Sequence, residues 1–500
     1  LTATENSAEW RYAAGKRENF QVQQFRHTAS GIEGLDRVLN GGLIDGASYI
    51  IQGRPGAGKT ILSNQVAFSR AAAGGNVLYV TLLSESHERL FQALSTLDFF
   101  DPQKLGQEII YVSVFQTLRD EGLGAVVKLL RNETKRHNAT LLVFDGLLNA
   151  RDRADTDLDV KTFVAEVQDQ AAFVGCTVLF LTSTRLEDNS PEHTMVDGVI
   201  DLSVELIGVR SVRQLQVRKS RGSAAFGGLH QYEISQAGVT VYPRLESTVA
   251  CSGMIDENIE NRRLSTGCPS LDDLIQGGVP QGSITLLAGP TGSGKTTFGL
   301  HFLSQGSEEE PALHFGFFET PARLLMKATS LGIPLQKDIP DVFEIVWNPL
   351  AENLLDKLAY QLLGWVAARK VRRLFIDGLG GFERAATHPS RLVEFFATLA
   401  NQLRGLGVTT VMTWELREIP GSYMTTPSAE LSAIIDNLIL LRHLETDHTI
   451  QPTVAIQKMR DSTFDKSAHY LEFTEKGLIV GGRISGRAQP ISLLDQPRGL

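Results

Sequence analysis

The pattern Gly-x-x-x-x-Gly-Lys-Thr occurs twice in this chain, at Gly53 to Thr60 and again at Gly289 to Thr296. Each copy follows an apolar strand (Ala47 to Gln52; Ser283 to Ala288) and precedes an apolar helical stretch. Strand, glycine loop and helix together make a phosphate cradle. The glycines let backbone N–H groups approach phosphate oxygens, and the helix N-terminus adds a favourable dipole. The first loop offers Gly53, Gly56, Gly58, Lys59 and Thr60, and the second Gly289, Gly292, Ser293, Gly294, Lys295 and Thr296. The lysines are expected to reach the β- and γ-phosphates of ATP, and Thr60 and Thr296 to ligate Mg2+.

The loops belong to a longer internal repeat with a period of about 236 residues, the upper end of the range for one domain. Thr28-Ala-Ser-Gly-Ile-Glu-Gly-Leu35-Asp36 and Gly41-Gly42-Leu43 precede the first loop. Ser265-Thr-Gly-Cys-Pro-Ser-Leu271-Asp272 and Gly277-Gly278-Val279 precede the second. Downstream, each half carries an apolar strand closing on an acid (Val77 to Glu85; Leu313 to Glu319). A strand ending in Asp-Gly follows (Leu141 to Asp145; Leu374 to Asp377), then a third strand (Thr177 to Thr182; Thr409 to Thr413). Each half ends with a basic tripeptide, Lys219-Ser-Arg221 and Lys458-Met-Arg460. Short apolar strands alternating with helical stretches predict an α/β fold: two tandem domains, each a mainly parallel sheet flanked by helices. The expected division is an N-terminal extension over 1–24, domains over 25–246 and 262–483, a linker over 247–261 and a flexible tail over 484–500.

Asp145 and Asp377 end strands about 80–90 residues after the lysines, where a Walker B carboxylate holds magnesium directly or through water. Glu319 and its counterpart Glu85 are candidates to polarise an attacking water or hydroxyl. Glu85 sits one residue further along its strand than Glu319 does, with Ser84 as the displaced neighbour.

The whole order, from about Phe25 to Gly482, resembles the RecA-like ATPases and within them the KaiC family of double-domain, clock-type ATPases and autokinases. The tandem arrangement, the Gly-Gly lead-in, Phe318-Glu319-Thr320-Pro321 and the Lys-x-Arg tripeptides carry the resemblance. It implies a hexamer of two stacked rings with ATP between adjacent subunits, and Lys219, Arg221, Lys458 and Arg460 reaching a neighbour's γ-phosphate. A cation delivered across an interface would make hydrolysis depend on assembly. Two departures stand out. Phe318 occupies the place of the first of two adjacent glutamates usual in the family's second domain. The family's Ser-Thr phosphoacceptor pair is matched by Ser432-Ala433, which excludes a two-step phosphorylation cycle and leaves Ser432 as a single candidate acceptor. The tail from Ile484 shows no match to the family's adaptor-binding tail, and any regulatory protein partner is unknown.

Composition bounds the rest. The chain is 42% hydrophobic and 21% charged, with no apolar run of 18 residues, so no membrane span is expected. Three scattered cysteines, Cys176, Cys251 and Cys268, form neither a disulfide framework nor a metal spacing and point to the cytoplasm. A net charge of −9 argues against a grip on nucleic-acid backbone. A RecA-like nucleic-acid motor is the alternative reading, with Arg218-Lys219-Ser220-Arg221 and Arg369-Lys370-Val-Arg372-Arg373 as its basic clusters. An ATP-binding switch with little turnover is a third.

Overall fold

In the computed structural model, the described residues are 25–82, 87–147, 156–183, 190–251, 262–336, 339, 341–416, 434–446, 449–460, 462–475 and 477–484. The chain divides into two compact units. The first holds residues up to Asp201 with Val217–Ala225 and Ile234–Val239. The second holds Leu202–Gln216, Phe226–Glu233 and the chain from Thr240 onward.

Each repeat begins with a small antiparallel pair, β1 (His27–Thr28) with β2 (Leu43–Ile44), and later β12 (Arg263–Leu264) with β13 (Val279–Pro280). The repeated Gly-Gly serves these pairs. Gly42 and Gly278 have φ of +102° and +123°, and a Cβ on either would fall 2.4 Å from Thr28 O or 2.1 Å from Leu264 O. Backbone cannot yield as a flexible side chain can, so these positions exclude side chains. The repeated aspartates are likewise structural: Asp36 Oδ1 accepts from Ser30 N at 2.7 Å and Asp272 Oδ1 from Thr266 N at 2.9 Å.

The first sheet contains β3 (Ser48–Gln52), β4 (Asn76–Thr81), β5 (Ile109–Ser113), β6 (Ala139–Asp145), β7 (Thr177–Thr182), β8 (Gly198–Ile207), β9 (Arg210–Ser220), β10 (His230–Ser235) and β11 (Gly238–Tyr242). Its spatial order is β5-β4-β6-β7-β3-β8-β9-β10-β11. The second contains β14 (Ile284–Gly289), β15 (Ala312–Gly316), β16 (Phe343–Trp347), β17 (Arg373–Asp377), β18 (Thr409–Glu415), β19 (Asn437–Thr446), β20 (Thr449–Met459), β21 (Ala468–Thr474) and β22 (Gly477–Arg483). Its order is β16-β15-β17-β18-β14-β19-β20-β21-β22. The two orders correspond strand for strand, so the sequence repeat is a repeat of topology. The strands from β5 to β8, and from β16 to β19, pair in parallel. Buried on both faces, they read as unbroken apolar runs such as Leu141 to Phe144. The antiparallel pairing of β9 with β10, and of β19 through β22, lies outside the expected βα alternation and extends each sheet on one side.

Two boundaries differ from expectation. The strands read as running to Glu85 and Glu319 stop at Thr81 and Gly316; a bend over 317–319 follows the second, and residues 83–86 after the first lie outside the described residues. A 3-10 helix, Leu245–Cys251, occupies part of the span read as linker. The extension 1–24 and the tail beyond Ile484 lie outside the described residues, as does most of the expected linker. Among the described residues, no helix is long and apolar enough to cross a membrane.

His230 is fixed as a neutral ring. Its Nδ1 accepts from Arg244 N at 2.9 Å and its Nε2 donates to Phe226 O at 3.1 Å. Burial pulls its pKa from 6.5 to about 4. Between these values the unfolded chain binds a proton that the folded chain does not. Stability from this group is therefore complete above pH 6.5 and is lost as pH falls toward 4, by on the order of 3 kcal/mol. His230→Gln, which keeps one donor and one acceptor, should flatten the fall in thermal midpoint between pH 7 and 4.5. An unchanged pH profile would contradict this.

Candidate functional site

Both phosphate loops have the shape that their glycines permit. Gly58 (φ +92°) and Gly294 (φ +98°) sit in the left-handed region immediately before the helices Lys59–Ala72 and Lys295–Ser304. A Cβ at Gly58 would lie 2.4 Å from Ile234 Cδ1, and one at Gly294 2.5 Å from Phe473 Cζ. Neither helix has an acidic residue in its first turn, so the positive end of each dipole stays available to an anion. Lys59 Nζ donates to Gly53 O at 2.7 Å and Arg54 O at 3.1 Å. Lys295 Nζ donates to Gly289 O at 2.8 Å and Pro290 O at 2.6 Å. Burial lowers the pKa of both lysines. Asp145 opposes that shift in the first site, and Glu415 and Asp377 oppose it in the second.

β6 and β17 deliver the aspartates to the first helical turn. Thr60 Oγ1 donates to Asp145 Oδ2 at 3.4 Å and Thr296 Oγ1 to Asp377 Oδ2 at 3.0 Å. A hydroxyl facing a carboxylate is an oxygen pair that would suit Mg2+, which would supply charge neutralisation for phosphate. The sites differ electrostatically. Burial raises the Asp145 pKa, only partly offset by Lys59 and Thr60. Burial also opposes the charge of Asp377, but His314, Thr296 and Thr413 outweigh it and hold its carboxyl below the ordinary value. Thr413 Oγ1 donates to Asp377 Oδ1 at 3.1 Å, while buried His314 Nε2 lies 3.7 Å from Oδ2, too far for a hydrogen bond. At the strand position matching His314, the first domain has Tyr79, hydrogen-bonded to Ser63 and Asn64.

Glu319 lies in the bend after β15, before the helix Pro321–Ser330, and Lys327 Nζ donates to its Oε1 at 2.5 Å. Glu85, Ser84 and the candidate acceptor Ser432 lie outside the described residues.

The basic tripeptides stand at the far end of each sheet from their own loops. Arg221 N donates to Asp197 O at 2.8 Å and Asp197 N to Ser48 O at 2.9 Å, so the first tripeptide is level with the start of β3. The phosphate loop follows the end of β3, about 13 Å along the strand. The second half repeats this: Arg460 N donates to Asp436 O and Asp436 N to Ile284 O, at the start of β14. Lys219 Nζ donates to His193 O at 2.7 Å and Val196 O at 2.5 Å, and Lys458 Nζ to Ile435 O at 2.6 Å. The Arg221 and Arg460 side chains are exposed. Neither tripeptide meets the phosphate loop of its own domain.

The profile described as "ATPase: KaiC" matches residues 28–246 and again 264–484, most of the chain. The chain belongs to the KaiC family. The circadian clock oscillator protein KaiC of Rippkaea orientalis is 25% identical over 491 residues, covering 93% of this chain and 91% of that protein. The protein of the same name from Synechococcus elongatus is 24% identical over 476 residues, covering 92% and 90%. That from Picosynechococcus is 24% identical over 473 residues, covering 90% and 88%. This KaiC-family chain therefore carries the family's ATPase domain twice.

Other basic groups are engaged within the fold. Arg373 pairs with Glu310 at 2.8 Å, Arg369 with Asp341 and Glu344, and Arg372 Nη1 donates to Leu406 O at 2.7 Å. The cluster considered for nucleic acid is thus largely committed to holding the strand β17 and its neighbours. The sequence reading missed Thr413, His314 and Glu415; each lies on a strand beside a recognised motif, with no spacing signature of its own.

In a chain also carrying Lys59→Ala, Glu319→Gln should reduce turnover by roughly 10²-fold or more with nucleotide affinity unchanged. Steady-state turnover alongside nucleotide titration checks this, and unchanged turnover would remove Glu319 from the chemistry.

Proposed function

We propose that this chain is a ring-forming ATPase in which each nucleotide site is completed by the Lys-x-Arg tripeptide of a neighbouring copy, and in which nucleotide state switches the ring's conformation. The observation that carries this reading is the distance between each tripeptide and its own loop. A cation useful to a γ-phosphate must come within hydrogen-bonding reach, and a strand's length in the wrong direction forbids that in the same domain. Contacts between the loop end of one copy and the tripeptide end of the next are head-to-tail, and such contacts close into rings. Six copies in two stacked tiers is the arrangement that the family resemblance favours.

Within each site, the loop amides and Lys59 or Lys295 hold the phosphates. Thr60 with Asp145, and Thr296 with Asp377, would hold magnesium, which neutralises phosphate charge. Glu319 orients the attacking oxygen in the second site. When that oxygen is water, ATP is hydrolysed; when it is the Ser432 hydroxyl, a Ser432–phosphorus bond forms as the bond from the γ-phosphorus to the ADP oxygen breaks, the hydroxyl proton passes to the Glu319 carboxylate and ADP departs. Ala433 has no hydroxyl, so the reading allows one phosphate at this segment. The buried free Cys176 and Cys268 fit a reducing cytoplasm.

Native and denatured mass measured after incubation with magnesium and ATP tests the assembly and kinase parts together. The expected result is six chains per native particle and one added phosphate per denatured chain. Monomers under native conditions would contradict the ring, and unmodified chains would contradict the autokinase. Lys59→Ala with Lys295→Ala should abolish hydrolysis, and retained turnover would contradict the ATPase sites assigned here.

A further inference from the structure

Glu415 is the last residue of β18, adjacent to β14, and pairs in register with Gly289, the first residue of the second phosphate loop. Its Oε1 accepts a hydrogen bond from Thr291 Oγ1, in the middle of that loop. Its charge also acts on Lys295, where it is the strongest influence opposing burial. A carboxylate therefore holds a hydroxyl of the phosphate loop and places negative charge near the loop lysine.

The first domain has neither partner. β3 and β7 pair in the same register, with Gln52 opposite Thr182, so Ser183 follows where the second domain has Glu415. The first loop, Gly53-Arg-Pro-Gly-Ala-Gly, has Pro55 in the place of Thr291. The carboxylate and its hydroxyl donor occur together in one half and are absent together from the other.

We propose that Glu415 is an affinity-determining residue of the second site: its carboxylate, held to the loop at Thr291, competes with nucleotide phosphate for that loop, making the site the weaker binder and sensitive to phosphate charge. Like charges brought close at a loop that binds phosphate must repel, so nucleotide enters against the Glu415 carboxylate. Glu415 is exposed, so mobile ions screen the effect. Repulsion grows with the number of phosphate charges, so ATP is penalised more than ADP.

This inference rests on the reading that the second loop binds ATP. The test uses the full chain with Lys59→Ala, which leaves one intact loop, titrated with ADP and with a non-hydrolysable ATP analogue. Adding Glu415→Gln should tighten analogue binding roughly tenfold, and ADP binding less. The gain should shrink as salt is raised from low to physiological ionic strength. In the Lys295→Ala chain the same substitution should leave affinity at the first loop unchanged. Unchanged or weaker analogue binding would overturn the proposal. So would a fall in kcat with affinity unchanged, which would make Glu415 a participant in the chemistry instead of a competitor. If the Lys59→Ala chain binds no nucleotide before Glu415 is touched, the ATP reading of the second loop fails and the proposal with it.

Discussion

A phosphate loop must turn from a buried strand into a helix within six residues, and in both domains the turn depends on a left-handed glycine. Gly58 and Gly294 take that conformation where a Cβ would strike Ile234 or Phe473. Everything else at the site is placed from this turn. The helix that it starts carries Lys59 and Thr60, or Lys295 and Thr296, in its first turn, facing the strand that ends in Asp145 or Asp377. The strand order sets the rest, since β3 and β14 lie inside their sheets and the Walker B strands two places away. The sheet then extends on its other side into antiparallel strands that carry the tripeptides away from the loop.

The repeat made most of this legible beforehand. Glycine, lysine and threonine at fixed spacing have one efficient use, and Asp145 and Asp377 are marked by the apolar strands that precede them. The antiparallel strands were harder to read. β9 and β20 mix polar and apolar residues in half-exposed positions, without the continuous runs of the central strands. Glu319 was found as a residue but placed on a strand that ends three residues earlier, because Phe317 and Phe318 prolong the apolar run past the last ladder pairing. Phe317 is buried and Phe318 exposed, a distinction that hydrophobicity alone does not make. Glu415, His314 and Thr413 were invisible for a different reason: their significance comes from neighbours 36 to 124 residues away, Asp377 and Thr291 among them.

Duplication has left two sites with the same scaffold and different electrostatics. The second surrounds its aspartate with Thr296, Thr413 and His314 and sets Glu415 against its loop. The first buries Asp145 with less support and gives the strand position of His314 to a tyrosine. The shared topology argues for the same phosphate-holding geometry in both. The differences argue for unequal affinities and rates at the two sites.

The central claim is that a working site is shared between chains, and complementation in mixed assemblies tests it most directly. One variant carries Lys59→Ala and Lys295→Ala; the other carries alanine at Lys219, Arg221, Lys458 and Arg460. Each alone should be nearly silent. Random co-assembly at equal amounts should restore about a quarter of wild-type turnover, because about one interface in four joins an intact loop to intact cations. Silence in mixtures shown by native mass to contain both chains, or full activity in the variant lacking the tripeptides, would contradict the account.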